Sequence, residues 1–177
     1  MSNTKYMIAE AGSDSKSNKS ANDITGEQRG YELRAIWDYD FDWTRVFRAN
    51  DTTLREQIAD FMERAVLNGY VGYSQTKRGG LFTLIKPLDF KVELLNEHAQ
   101  CDCSSLVYTA IYAATKIRYK DSESDDYIAP VTEYFDEYLN ATGKFTEITA
   151  EDYLGKTDNL MRGDILLLEY SHVAVFI

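Results

Sequence analysis

Apolar positions along the chain fall into helical and extended stretches separated by polar runs. Leu54, Ile58, Phe61, Met62 and Ala65 recur every three or four residues, so they share one face of an amphipathic helix. Thr53 followed by Glu56 reads as its capping box, and Asn68-Gly69 as its stop. From Ser104 onward, Leu106, Val107, Ala110, Ile111, Ala114 and Ile117 repeat at helical spacing with small residues between them. That pattern belongs to a helix packed on more than one side, so it is expected to be central. Ile128, Val131, Tyr134, Phe135, Tyr138 and Leu139 predict a further, acidic helix closing at Gly143.

The extended signals lie mostly near the end. Phe145 to Ile148 predicts a short strand, and Thr149-Ala150-Glu151-Asp152 the entry to a helical turn. Ile165 to Glu169 and His172 to Ile177 read as the two strands of a hairpin, the first apolar enough to be buried on both faces. Residues 12–30 are rich in Ser, Asn, Asp, Lys and Gly and read as a long surface loop. Residues 31–48 bring Trp37, Tyr39, Phe41, Trp43, Val46 and Phe47, a set that reads as core packing rather than a ligand platform. Loop chemistry surrounds Lys77-Arg78-Gly79-Gly80, an apolar run from Leu81 to Ile85 ends at Pro87, and residues 96–100 are polar. No internal repeat or heptad is visible.

With 177 residues, 44% of them apolar, the chain is expected to form one domain with a genuine core. A net charge of −10 argues against nucleic acid as a partner, because phosphate recognition needs a basic surface. Neither a signal-peptide pattern nor an apolar run approaching about 20 residues is found, so secretion by leader and membrane insertion are not expected. The two cysteines, Cys101 and Cys103, stand one residue apart where their side chains diverge, which disfavours a disulfide and fits synthesis in a reducing cytoplasm. His98 and His172 lack ligand spacing, so no metal is expected.

Scarcity narrows the candidate chemistry, since only two cysteines and two histidines exist. Cys103 opens the best-defined helix of the second half, where unpaired N–H groups and the helix dipole favour a thiolate. His172 opens a strand, a rigid place from which an imidazole can take a proton. Each residue alone has an ordinary reading as well, inert burial for the cysteine and a polar turn residue for the histidine.

Two motifs shift that balance. Asp102-Cys103-Ser104-Ser105-Leu106-Val107 resembles the Asp-Cys-Ser-Gly-Leu-Val nucleophile motif of the NlpC family, papain-like cysteine peptidases and amidases that cut bacterial cell-wall peptides. Arg162-Gly163-Asp164-Ile165-Leu166 and His172-Val173-Ala174-Val175-Phe176 resemble the family's Gly-Asp-strand and His-Val-Gly-Ile-Tyr segments, in the same order. The likeness covers roughly residues 70–177. The earlier part, with Ala21-Asn22-Asp23-Ile24-Thr25-Gly26-Glu27 and Trp43-Thr44-Arg45-Val46-Phe47-Arg48, is similar to the start of certain phage-encoded members.

The resemblance implies an α+β, papain-like fold: an N-terminal helical and loop extension (1–69), then a core (70–177) whose central helix bears the nucleophile and packs on a small antiparallel sheet. It implies the catalytic module of a phage endolysin, made in the cytoplasm and acting on the wall after release, cofactor-free, with peptidoglycan peptides as partners. Given the acidic chain, a separate basic wall-binding module would complete it. Cys103 and His172 take the catalytic roles. Tyr73, with Gln75 as an alternative donor, would line the site and hold the oxyanion, although Tyr73 also reads as a core or rim aromatic and Gln75 as a solvated loop residue. Asp102, Ser104 and Ser105 match positions beside the scissile bond, and Asp102 equally reads as a helix cap. A non-catalytic wall-binding or assembly domain and a Cys/His acyltransferase are the competing readings.

The chain departs from the family pattern at three points. Ser105 and Ala174 stand where glycines are usual. The polar residue that orients the histidine normally follows on the next strand, and the sequence ends at Ile177. Trimming of the chain, an orienting group from elsewhere, or a pair working unaided would each account for this, His98 being a poor substitute because it lies just before Cys101.

Overall fold

The computed structural model describes residues 7–12, 33–35, 43–120, 129–148 and 159–177. In chain order these hold β1 (Met7–Ala9), β2 (Leu33–Ala35), β3 (Arg45–Ala49), α1 (Thr52–Leu67), β4 (Val71–Tyr73), α2 (Gly80–Ile85), β5 (Ala99–Cys101), α3 (Cys103–Thr115), α4 (Phe135–Thr142), β6 (Phe145–Ile148), β7 (Ile165–Leu168) and β8 (His172–Phe176). Six strands form an antiparallel sheet in the order β2-β1-β8-β7-β3-β6, and β4 pairs in parallel with β5. The fold is α+β, as expected, with four α-helices among the described residues.

Both faces of the sheet are covered, which explains the unbroken apolar run of β7. Ile165 and Leu167 join the main core with α1 and α3, whereas Leu166 joins Ile8, Trp43, Val46, Ala174 and Phe176 on the other side. Helix α3 is the centre of the main core, and all nine residues from Cys103 to Ile111 are buried. It runs between α1 and β8. The helix stops at Lys116, which takes a left-handed conformation, so Ile117 packs from beyond its end.

Three expectations are corrected. Helix α1 is capped by Asp51, whose carboxylate accepts from the Leu54 N–H at 3.0 Å, and Thr53 lies inside the first turn. Strands β1 and β3, which precede residue 70, flank the β8–β7 hairpin in the sheet. The described residues before 70 thus hold helix α1 together with the three strands β1, β2 and β3. Part of the polar stretch before the cysteines forms β5, where Ala99 and Gln100 are buried. The acidic segment near Gly143 begins as a 3-10 turn, with Val131 exposed before it, and becomes α4 at Phe135. Residues 13–30, 149–152, Trp37, Tyr39, Phe41 and Ile128 lie outside the described residues. No helix of the described residues is long and apolar enough to cross a membrane.

Candidate active site

Asp102 and Ser105 build the start of α3. The Asp102 carboxylate accepts from the Ser105 N–H at 2.7 Å, and the Ser105 hydroxyl accepts from the Asp102 N–H at 2.7 Å, closing a capping box. Ser105, which stands where the NlpC-type motif has glycine, therefore has a local reason to be there. Cys103 is the first residue of the helix and 7% exposed. The cap uses the N–H of Ser105, and the Asp102 carbonyl receives that of Leu106, which leaves the N–H of Cys103 directed at the helix entrance.

His172 opens β8 with an interacting side chain on each of two sides. One is that of Cys103, which raises the pKa of the imidazole. The other is Glu10, whose Oε2 lies 2.6 Å from Nε2 and whose side chain is fully buried. A carboxylate only accepts, so the Nε2 proton is donated to Glu10, and Nδ1 is the nitrogen left for the thiol. Burial by itself would depress the pKa of His172. The hydrogen bonds to Cys103 and Glu10, with their charges, outweigh it and raise the pKa to about 9. Trp43 stacks at a tilt over the imidazole with ring centres 5.8 Å apart, fixing the ring from a third direction.

Glu10 was invisible to the sequence reading, and its position follows from strand pairing. Strand β1 runs antiparallel to β8, with Ile8 opposite Phe176 and Ala9 opposite Val175. The chain leaving β1 therefore runs toward the beginning of β8, which brings Glu10 to His172. The one local signal is a lone acid between Ala9 and Ala11, in a stretch otherwise fit for burial.

The β4–β5 pair delivers the rest. Tyr73 lies opposite Cys101, two residues from the thiol of Cys103. Burial, then the negative charge of Cys103, pushes its pKa up to about 12, so the phenol keeps its proton and remains a donor. Gln75 donates to the Tyr73 hydroxyl at 3.3 Å. It thus reaches the site through the phenol. Cys101 is buried on β5 with its thiol 3.7 Å from the Gly72 carbonyl, and both cysteines are free thiols. His98 is exposed and packs against Tyr70, away from the thiol.

Asp102, Ser104 and Ser105 are all buried, and their polar atoms are engaged within the protein. Asp102 and Ser104 share a partner in Arg78, a second residue the sequence reading missed. Its Nε forms an ion pair with Asp102 Oδ2 at 2.9 Å, with the N–H not aimed at the oxygen, and its Nη2 donates to Ser104 Oγ at 2.8 Å. The Gly-Asp motif is structural: Gly163 has φ +90, and the buried Asp164 accepts two hydrogen bonds from Arg48, at 2.8 and 2.6 Å. Among the described residues no three His, Cys, Asp or Glu side chains gather as metal ligands.

Fold and site define a class, an α+β protein whose sheet aligns a carboxylate, an imidazole and a thiol at the entrance of its central helix. The chain belongs to the endolysin-like domain family, whose model matches residues 8–177 and so takes in β1 and Glu10 as well as both motifs. Membership makes this an endolysin-type domain and points to a role in cell-wall lysis. No curated protein and no solved structure matches the chain.

Proposed function

We propose that the domain is a cysteine peptidase or amidase on a papain-like, NlpC-type scaffold, hydrolysing an amide bond in the stem peptide or cross-link of peptidoglycan. The observation that carries this reading is the buried Glu10–His172 hydrogen bond, with Cys103 on the other side of the ring. A carboxylate in that place holds the imidazole in one tautomer and balances its positive charge, which a merely structural histidine does not need.

Cys103, as thiolate beside the His172 imidazolium, attacks the amide carbonyl carbon and forms a C–S bond, and the carbonyl electrons move to oxygen. The oxyanion lies at the helix entrance, within reach of the Cys103 N–H and the Tyr73 hydroxyl. Collapse of the intermediate breaks the C–N bond as His172 gives its Nδ1 proton to the leaving amine. Neutral His172 then takes a proton from water, the hydroxide attacks the thioester, and the thiolate leaves, restoring the ion pair. Acyl transfer of this kind needs no metal or organic cofactor. The domain would be made in the cytoplasm and reach the wall after release, with a separate basic module supplying wall affinity that an acidic domain lacks.

Mass spectrometry of muropeptides after incubation with purified protein tests both activity and bond choice. The expected result is one new amine and carboxylate pair per cut, absent with Cys103→Ala. Equal release by Cys103→Ala would overturn the proposal, and an added amine acceptor appearing in the product would redirect it to acyl transfer.

A further inference from the structure

Arg78 has no place in the chemistry above, yet it is more closely engaged with the nucleophile's turn than any residue that does. Besides the Asp102 ion pair and the Ser104 hydrogen bond, its Nη2 donates to the Pro130 carbonyl at 2.8 Å and its Nη1 to the Ala129 carbonyl at 3.3 Å. Three protein hydrogen bonds and an ion pair leave it little capacity to hold a substrate carboxylate. Its location is itself fixed. Ser74 donates its N–H to the Cys101 carbonyl at 2.8 Å, Lys77 donates its N–H to Ser74 Oγ at 3.1 Å, and Gly80 passes so near Gln100 that a Cβ would lie 3.1 Å from backbone atoms.

Asp102 poses an electrostatic problem for the residue it precedes. Several residue types cap a helix, and Ser, Thr and Asn do so without charge. A carboxylate adjacent to a thiol opposes the negative form that reacts, and in a buried site that opposition is strong. The charged and titratable groups that interact with Cys103 or with its immediate partners are His172 from β8, with Glu10 bonded to it, Tyr73 and Cys101 from the β4–β5 pair, and Asp102 from the cap. Arg78 adds a permanent positive charge on the Asp102 side, opposite in sign to the group it touches.

We propose that Arg78 is a positioning residue for Cys103: it neutralises Asp102, so that the carboxylate caps α3 without opposing the thiolate, and it pins the helix entrance to residues 129–130. The inference rests on the Cys103–His172–Glu10 reading of the site. The pair also accounts for an aspartate where a neutral cap would do, since only a charged cap can form an ion pair with the guanidinium.

The test is the pH profile of Cys103 alkylation by iodoacetamide, read by mass spectrometry on the Cys103 peptide. Arg78→Met is expected to move the midpoint up by about one pH unit, seen as roughly tenfold slower alkylation below it. Arg78→Met with Asp102→Asn should return the rate to within about threefold of wild type, and Arg78→Lys should stay equally close. A profile for Arg78→Met that superposes on wild type, or a shift that persists in the double variant, would overturn the proposal. If Arg78→Met does not fold, Asp102→Asn alone carries the test, because removing the carboxylate should lower the midpoint and an unmoved or raised one counts against the proposal. A wild-type Cys103 that alkylates at neutral pH no faster than a free thiol would instead sink the site reading itself.

Discussion

Glu10 and His172 lie 162 positions apart in the chain, and their side chains meet at 2.6 Å. The pairing is a consequence of sheet order. Strand β8 has β7 on one side and β1 on the other, so the place beside the histidine is filled from the opposite end of the sequence. Adjacency in a sheet is set by pairing and not by chain order, and the carboxylate that meets the histidine comes from just after the first strand.

Replacing Glu10 separates orientation from packing. Glu10→Gln keeps the size and one acceptor but removes the charge, and kcat is expected to fall by about tenfold to a hundredfold with KM little changed. Glu10→Ala should lose more. Because Glu10 is one of the groups that raise the His172 pKa, the alkaline limb of the pH–rate profile should also move to lower pH. Steady-state rates on purified muropeptide across pH check both, and wild-type kcat in Glu10→Ala would show that the carboxylate does not orient the imidazole.

What the sequence made legible was periodic. The 3.6-residue repeat of α3 and the apolar run of β7 are strong enough to survive any context, and so is the amphipathic face of α1. Its cap was misplaced because Asp51, Thr52 and Thr53 are three successive cap residues, and only the closure of Asp51 on Leu54 distinguishes them. Strands β1 and β5 have three residues each, too few for alternation to register. Glu10 and Arg78 were missed for a different reason, since each acts through partners far away in sequence and neither belongs to a local motif. The Gly-Asp pair was legible as a motif but not as a function. Its work is to hold Arg48 and the approach to β7.

The raised pKa of His172 predicts how stability depends on pH. A histidine whose folded pKa lies at about 9, against an ordinary value of 6.5, stabilises the fold fully below about pH 6.5 and loses that contribution as pH rises through about 9. Its size is on the order of 3 kcal/mol. Urea denaturation of wild type and His172→Gln over that window should show the gap between them narrowing as pH rises. A gap constant with pH would mean that the imidazole is not held charged in the folded state.

Tyr73 keeps its proton over the whole working range because its pKa stands near 12, so it is a permanent donor beside Cys103. Tyr73→Phe is expected to lower kcat by about a hundredfold, the usual loss for one oxyanion donor, with little change in KM or thermal stability. Gln75→Ala removes only the donor to the phenol and should cost less than about fivefold. Equal effects of the two substitutions on kcat would reassign the donor role to Gln75.

Gly163 gives the sharpest prediction for stability. Its φ is +90, and a Cβ built there would lie 2.3 Å from the Arg55 carbonyl oxygen on α1, a backbone atom that cannot swing aside. The same residue donates its N–H to the Phe176 carbonyl at 2.8 Å, and Phe176 returns a hydrogen bond to the Asp164 carbonyl at 2.8 Å. Moving Gly163 therefore either pushes α1 off the sheet or unpairs the end of β8. Gly163→Ala combines an unfavourable φ with that clash and should cost roughly 3 kcal/mol or more. For a chain of this length that is a fall in Tm of about 6–12 °C. Thermal unfolding by circular dichroism reads it directly, and a Tm within about 2 °C of wild type would show that the α1–β7 approach is far looser than the contact with Arg55 requires.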